Sequence, residues 1–291
     1  MRTRIALLTL LTGLLSFSIN AQTLDEHLKK GVAYMNQTQN EEALAEFKQA
    51  IAMDEDNAAT PLLYSYAGIC AKAVGKDNEA KGYFQTSIER GVDDSEVFNL
   101  LGDICRDQDD VDCQIKTYTK AMEVLPSMSQ DYGEKLAYVY YNAKKYPELE
   151  KLTSELLKNA PDNQKLMRLN AVSLQKNKKI NEAKAVYEQI LEKDPDDLSA
   201  NVFMGNYYYQ VGKSKLDREE ASYKKIDNPD RVQWSNYQKK CKVILDDYYK
   251  KAVGYLEKAY AQKEDPNLKK LLYAAYFKMG DRTNTERFRD Q

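Results

Sequence analysis

With 291 residues the chain is long enough for two ordinary domains. Its 43 Lys+Arg against 45 Asp+Glu leave a formal net charge of -2, which excludes the basic excess of a generic nucleic-acid binder. At 43% hydrophobic and 30% charged, with 12 Gly and 7 Pro, the composition is neither disordered nor fibrous and favours an all-helical chain, and a single His leaves little for a metal cluster or for His-based catalysis.

The chain opens with Arg2 and Arg4, then an apolar run from Ile5 to Leu15, then Ser16 to Ala21. A basic head, a short apolar run and a small residue at the end predict a secretory signal peptide over 1–21, cleaved near Ala21. The run is too short to cross about 30 Å of hydrocarbon as an uncleaved anchor. No Cys follows the cleavage point, so no lipoprotein anchor is expected. Cleavage removes two Arg and takes the formal charge to -4, with 41 basic groups against 45 acidic. No later segment approaches 18 continuous apolar residues, so the mature chain carries no integral membrane span and is expected to be exported and periplasmic.

Beyond the leader, a motif recurs with a period of about 34 residues. Glu42-Ala43 precedes Phe47 and Ala50; Glu79-Ala80 precedes Phe84 and Ser87; Glu182-Ala183 precedes Tyr187 and Ile190. A Gly or Ala lies ahead of each unit's second half, at Gly31, Gly68, Gly102, Ala137, Ala171 and Gly205. Pro126, Pro161 and Pro195 close successive units. Within Asn181 to Glu192, Ala183, Val186, Tyr187, Ile190 and Leu191 form one apolar helical stripe. A unit with one such stripe must stack on neighbours to bury it.

These residues resemble the tetratricopeptide repeat family, in particular exported members from Bacteroidota. Units are assigned from Leu24, Pro61, Ser95, Gln130, Gln164 and Leu198, with a partial unit from Pro266. The fourth departs most, carrying Leu149, Thr153 and Leu156 at the signature positions. The resemblance implies an all-α fold: a right-handed α-solenoid of helix hairpins. Repeats one to six, through the first helix of the sixth, occupy 24–212. A helical insertion occupies 213–247, and 248–291 completes the sixth repeat and adds a capping one. Arg282, Asn284, Glu286, Arg287, Arg289 and Asp290 give that cap its polar face.

The insertion breaks the period. Gly212 reads as the turn glycine of the sixth unit, but the expected small residue arrives only at Ala252, followed by Leu256 and Ala259. Asp227-Asn228-Pro229-Asp230 reads as a helix start with Pro in the first turn. After it, Trp234, Tyr237, Cys241, Ile244, Tyr248, Ala252, Leu256 and Ala259 recur at spacings of three and four. The pattern predicts one helix over about 230–262, roughly 50 Å long at 1.5 Å per residue. Leu216, Tyr223 and Ile226 supply an antiparallel partner, making a hairpin arm with Trp234 near its tip. The other arrangement is an insertion that folds back and pads the repeats.

The chain has no Gly-rich phosphate loop, no G-x-S-x-G elbow and no H-E-x-x-H pair. His27 falls where bulk packs between helices, so its role reads as structural. Asp109-Asp110 and Asp196-Asp197 fall in turns, where Asp favours helix starts rather than paired-acid catalysis. No enzyme activity, cofactor or metal site is therefore expected. Asn36-Gln37-Thr38 is a glycosylation tripeptide that matters only in a eukaryotic secretory route. In the repeat register Cys105 and Cys113 face each other across a hairpin turn, and export permits a disulfide. Small-residue packing is the alternative, and Cys70 is a competing partner.

In the family the first helices line a concave groove. That resemblance nominates Asn99, Asp103 and Arg106 in the third unit, and Glu134, Tyr138 and Tyr141 in the fourth. The fifth offers Arg168, Val172 and Gln175; the sixth offers Val202, Asn206 and Tyr209, and Trp234 stands on the arm. Tyr138, Tyr141 and Tyr209 are the expected anchors, with Arg106 and Arg168 as partners for a carboxylate. The first unit lacks the Lys and Asn of the carboxylate-clamp subfamily, holding Leu28 and Val32 instead. The expected function is a non-catalytic scaffold of the periplasm or envelope that binds a protein or peptide, associating with the envelope through that partner. The alternative is a glycan or peptidoglycan module whose Tyr faces stack on sugars.

Overall fold

The computed structural model describes residues 23–54 and 60–289. The expected signal peptide, and Asp290 of the expected cap, lie outside the described residues. Every regular element among the described residues is helical. The chain divides into two compact units, Met1–Ala143 and Lys144–Gln291.

The first unit holds α1 (23–36), α2 (Asn40–Ala52), α3 (Pro61–Ala73), α4 (Asp77–Glu89), α5 (Ser95–Asp107), α6 (Val111–Val124) and α7 (Ser129–Asn142). The second holds α8 (Tyr146–Asn159), α9 (Gln164–Lys176), α10 (Ile180–Lys193), α11 (Leu198–Tyr223), α12 (Arg231–Ile244), α13 (Lys250–Gln262), α14 (Pro266–Met279) and α15 (Arg282–Arg287). In each unit sequence neighbours pack against one another, as in a solenoid.

Local chemistry sets these boundaries. Asp94, Asp110, Asn163, Asp197, Asp265 and Asp281 each accept a backbone N–H at the helix start they precede. Asp110 and Asp197, the second members of the paired acids, are thus helix caps. Between the helices of a hairpin, one residue turns left-handed, and it falls at the fifteenth position of the repeat. Thr38, Gly75, Asp109, Lys144, Lys178 and Gly280 all have φ between +54° and +74°.

The hairpins close by one recurring contact. A Cβ placed on Gly31 would lie 2.5 Å from the Phe47 ring, one on Gly68 2.6 Å from Phe84, and one on Gly102 2.5 Å from the Tyr118 hydroxyl. Only a glycine lets the second helix approach this closely. The sequence spacing from glycine to ring is identical in all three pairs. Gly205 makes the same contact with Leu256, far beyond that spacing, so a stretch comparable to a whole repeat is inserted in the sixth hairpin. The fourth repeat fills its second helix differently. Thr153 stands in the aromatic position, fully buried, and accepts a hydrogen bond from the buried Asn170 amide at 3.0 Å.

The insertion corrects three expectations. Gly212 is not a turn glycine: α11 runs through it to Tyr223, and its bare Cα admits Tyr248 and Tyr249. Pro229 lies just outside α12, because Asp230 is the cap and forms a reciprocal pair of hydrogen bonds with Gln233. The residue buried after Ile244 is Tyr249, not Tyr248. Helix runs unbroken from Arg231 to Gln262, but Leu245–Tyr249 form a π turn between α12 and α13. A π turn spaces same-face residues five apart, which rotates Tyr249 into line with Ile244.

Candidate protein-binding clefts

In the first unit, α5, α6 and α7 enclose a cleft of about 470 Å³. Arg106, Tyr118, Lys135 and Tyr138 are among its walls. Lys135 ties α7 to α5, donating to the Asn99 amide oxygen at 2.6 Å and lying 5.2 Å from the Tyr132 ring centre. Arg106 pairs with Asp103 at 2.7 Å and Asp107 at 3.2 Å, all on one exposed helix end. Burial, reinforced by Asp103, pushes the Tyr118 hydroxyl up from its ordinary pKa. On α7, Tyr138 and Tyr141 are 44% and 40% exposed.

In the second unit, a cleft of about 520 Å³ lies between the α9–α10 turn and α11. Phe203, Tyr207, Val211 and Ile180 form its apolar part. Gln175, Asn206 and Gln210 add amides, and Lys215 and Arg218 add cations. Phe203 stacks on Tyr187 at 4.4 Å between ring centres, and Tyr207 lies nearly parallel to Phe203 at 6.3 Å.

The tetratricopeptide repeat family model matches residues 27–57, which take in most of α1, its turn and α2. The Gly31–Phe47 contact inside that match recurs at Gly68–Phe84, Gly102–Tyr118 and Gly205–Leu256. Residues 27–57 carry a tetratricopeptide repeat, and the same hairpin contact recurs along the chain. Repeats of this family bind protein or peptide partners and are typically non-catalytic scaffolds. No curated protein matches the chain. Among solved structures, a putative protein binding protein from Bacteroides ovatus is 23% identical over 89% of this chain and 98% of that one, with a TM-score of 0.49. The C-terminal part of a TPR repeat-containing protein from Cytophaga hutchinsonii is 14% identical over 90% and 92%, with a TM-score of 0.46. YrrB, described as a TPR protein with an unusual peptide-binding site, is 15% identical over 64% and 93%, with a TM-score of 0.44. The assignment rests on the family match and the recurring contact, not on these distant likenesses.

The repeat residues nominated for binding fall into separate groups. Arg106 and Tyr138 share the first cleft; Asn99 and Asp103 serve as internal partners of Lys135 and Arg106. Glu134, Tyr138 and Tyr141 follow one another along α7. Gln175 and Asn206 share the second cleft. Arg168 stands elsewhere in role: it donates to Asp197 at 2.5 Å and also meets Asp194 and Gln164. Asp197 is buried and caps α11, so Arg168 ties α9 to the α11 start rather than waiting for a foreign carboxylate. Tyr209 is also structural, packing edge-on against buried Tyr249 at 5.5 Å.

Trp234 lies on α12 beside Tyr223 and Tyr237, at 5.6 and 5.7 Å, and lines neither cleft. Burial and a hydrogen bond with Cys241 push Tyr237 up to about 12. His27 hydrogen-bonds Glu46 at 2.6 Å between α1 and α2. Cys105 and Cys113 form a disulfide across the α5–α6 turn, with Cα atoms 5.7 Å apart. Cys70 is buried and free. Among the described residues no group of three His, Cys, Asp or Glu is placed to hold a metal, and no helix is long and apolar enough to cross a membrane.

Sequence reasoning missed Lys135, Tyr207, Lys215 and Arg218. Tyr207, Val211, Ser214 and Arg218 recur at spacings of three and four, a visible stripe once α11 is known to run past Gly212.

Proposed function

We propose that this chain is an exported, non-catalytic scaffold of the periplasm or cell envelope, which captures a protein or peptide partner on its first helices. The observation that carries this reading is the pair of large aromatics on α7, Tyr138 and Tyr141, left exposed beside a cleft that also offers Arg106 and Lys135. Tyr and Arg concentrate binding free energy at protein interfaces, because they combine large apolar area with a polar tip. A family built of repeats presents such surfaces on rigid elements, so little ordering cost attends binding.

The test is a crosslinking pull-down with the mature chain from a periplasmic extract, run beside the Tyr138→Ala/Tyr141→Ala double variant and beside a glycan array. A specific protein captured by the wild type and lost, by about tenfold or more, from a variant with unchanged thermal melting supports the reading. Equal capture by both removes α7 as the binding face. Binding confined to glycans replaces the scaffold reading with the envelope-glycan one.

A further inference from the structure

We propose that the second cleft is a docking site for an acidic protein segment that carries a bulky apolar side chain next to its carboxylates. This rests on the reading of the chain as a partner-binding scaffold, but it places a distinct site in the second unit.

The cleft exists because of the insertion. In the other hairpins the first helix ends at the turn, near the fourteenth position of the repeat. Here α11 continues to Tyr223 and overhangs the α9–α10 turn. Ser214, Lys215 and Arg218 therefore have no counterpart in an ordinary repeat, and they convert an open corner into a walled one. Its floor is rigid. Phe203 is buried and held by its stack on Tyr187, and Tyr207 is fixed between Phe203 and an edge-on contact with Tyr208 at 5.5 Å. Ile180, on the first turn of α10, is 40% exposed above that floor. A volume of about 520 Å³ suits one large apolar side chain and its flanking backbone.

The charge around the floor decides the partner. Lys215 and Arg218 reach the wall, and no Asp or Glu lines the cleft. Asp217 lies in the adjoining depression, where Lys213 pairs with it at 2.7 Å. Lys215 is steadied by the Tyr248 ring, 5.2 Å from its ammonium. Gln175 and Gln210 offer amides for the backbone of an extended segment, and Asn206, whose NH2 donates to the Val202 carbonyl at 2.8 Å, adds its amide oxygen. An apolar floor with an amide edge and two cations complements an apolar anchor followed by carboxylates. A basic segment would set its own cations against Lys215 and Arg218.

A phage-displayed random dodecapeptide library selected on the mature chain tests this. The expected result is enrichment of peptides with Leu, Met or an aromatic residue beside Asp or Glu. Their binding should fall by about tenfold or more in Lys215→Glu/Arg218→Glu. Both residues are exposed, so that variant should melt as the wild type does. The same peptides should bind the Tyr138→Ala/Tyr141→Ala variant normally. Failure to enrich, enrichment of basic or uncharged peptides, or unchanged binding to the charge-reversed chain overturns the proposal. Peptides lost only from the Tyr138→Ala/Tyr141→Ala variant overturn this site while leaving the α7 reading intact.

Discussion

Gly68 and Gly82 are both helical glycines in the first unit, yet they are present for opposite reasons. A Cβ on Gly68 would press into the ring of Phe84, which is fully buried and has nowhere to swing. A Cβ on Gly82 meets nothing within 4 Å. Gly68→Ala is therefore expected to cost about 1–3 kcal/mol by overpacking. Gly82→Ala is expected to stabilise by about 0.5–1 kcal/mol, because alanine loses less backbone freedom in a helix. Urea titration of the two variants checks both signs. Asp110 carries a second residue-scale prediction. The Lys81 ammonium, 2.7 Å away, and then the Cys113 N–H hold its carboxyl below the usual 3.8. A depressed folded value means the stabilisation is present above the ordinary pKa and is lost as pH falls through the folded one. Asp110→Asn keeps an oxygen to cap α6 but removes the charge, so its deficit relative to wild type should shrink between pH 6 and pH 2. Melts across that range test it; a deficit that is constant with pH refutes the charge pairing.

Among the elements, the long helix of the insertion shows how one turn changes a whole face. A regular α-helix over 231–262 would set Tyr248 in line with Ile244. The π turn at Leu245–Tyr249 rotates the chain so that Tyr249, Ala252, Val253 and Leu256 face the second unit's core. Tyr249 is fully buried, packing on Tyr209 and over Gly212, and burial pushes its hydroxyl far above the ordinary tyrosine range. Tyr248 is half-buried, at the edge of Tyr208 and beneath Lys215. Tyr249→Ala should cost about 3–5 kcal/mol, whereas Tyr248→Ala should cost about 1 kcal/mol. The reverse order would show that the helix is regular.

For the molecule as a whole, the proposed export bears on the disulfide. The leader expected over 1–21 would deliver the chain to a compartment where the Cys105–Cys113 disulfide persists. One intact-mass measurement on protein recovered from the envelope reads both. The mass should correspond to a chain that begins at Gln22, and reduction under unfolding conditions should add two hydrogens. A mass that still includes the segment Met1 to Ala21 refutes cleavage, and a mass unchanged on reduction refutes the bond. Closing so short a loop should contribute about 2–3 kcal/mol, observed as a lower melting temperature in Cys105→Ser/Cys113→Ser.

Much of this architecture is written locally. Helix starts at Ser95, Gln164, Leu198 and Pro266 follow from capping side chains, that at Pro61 from proline in the first turn, and all from apolar spacings of three and four. The glycine-to-aromatic contact is legible because its spacing repeats unchanged in Gly31–Phe47, Gly68–Phe84 and Gly102–Tyr118. Those features depend on neighbours within one hairpin, so the order of residues alone determines them. What the sequence left ambiguous depended on groups far along the chain. Gly212 reads as a turn until Tyr248 and Tyr249 are seen across it, and Arg168 reads as free until Asp197 is seen beside it. The second cleft exists only because an overlong α11 passes the α9–α10 turn. Tertiary packing decided these, because a side chain's partner is set by where the helices meet and not by its own preference.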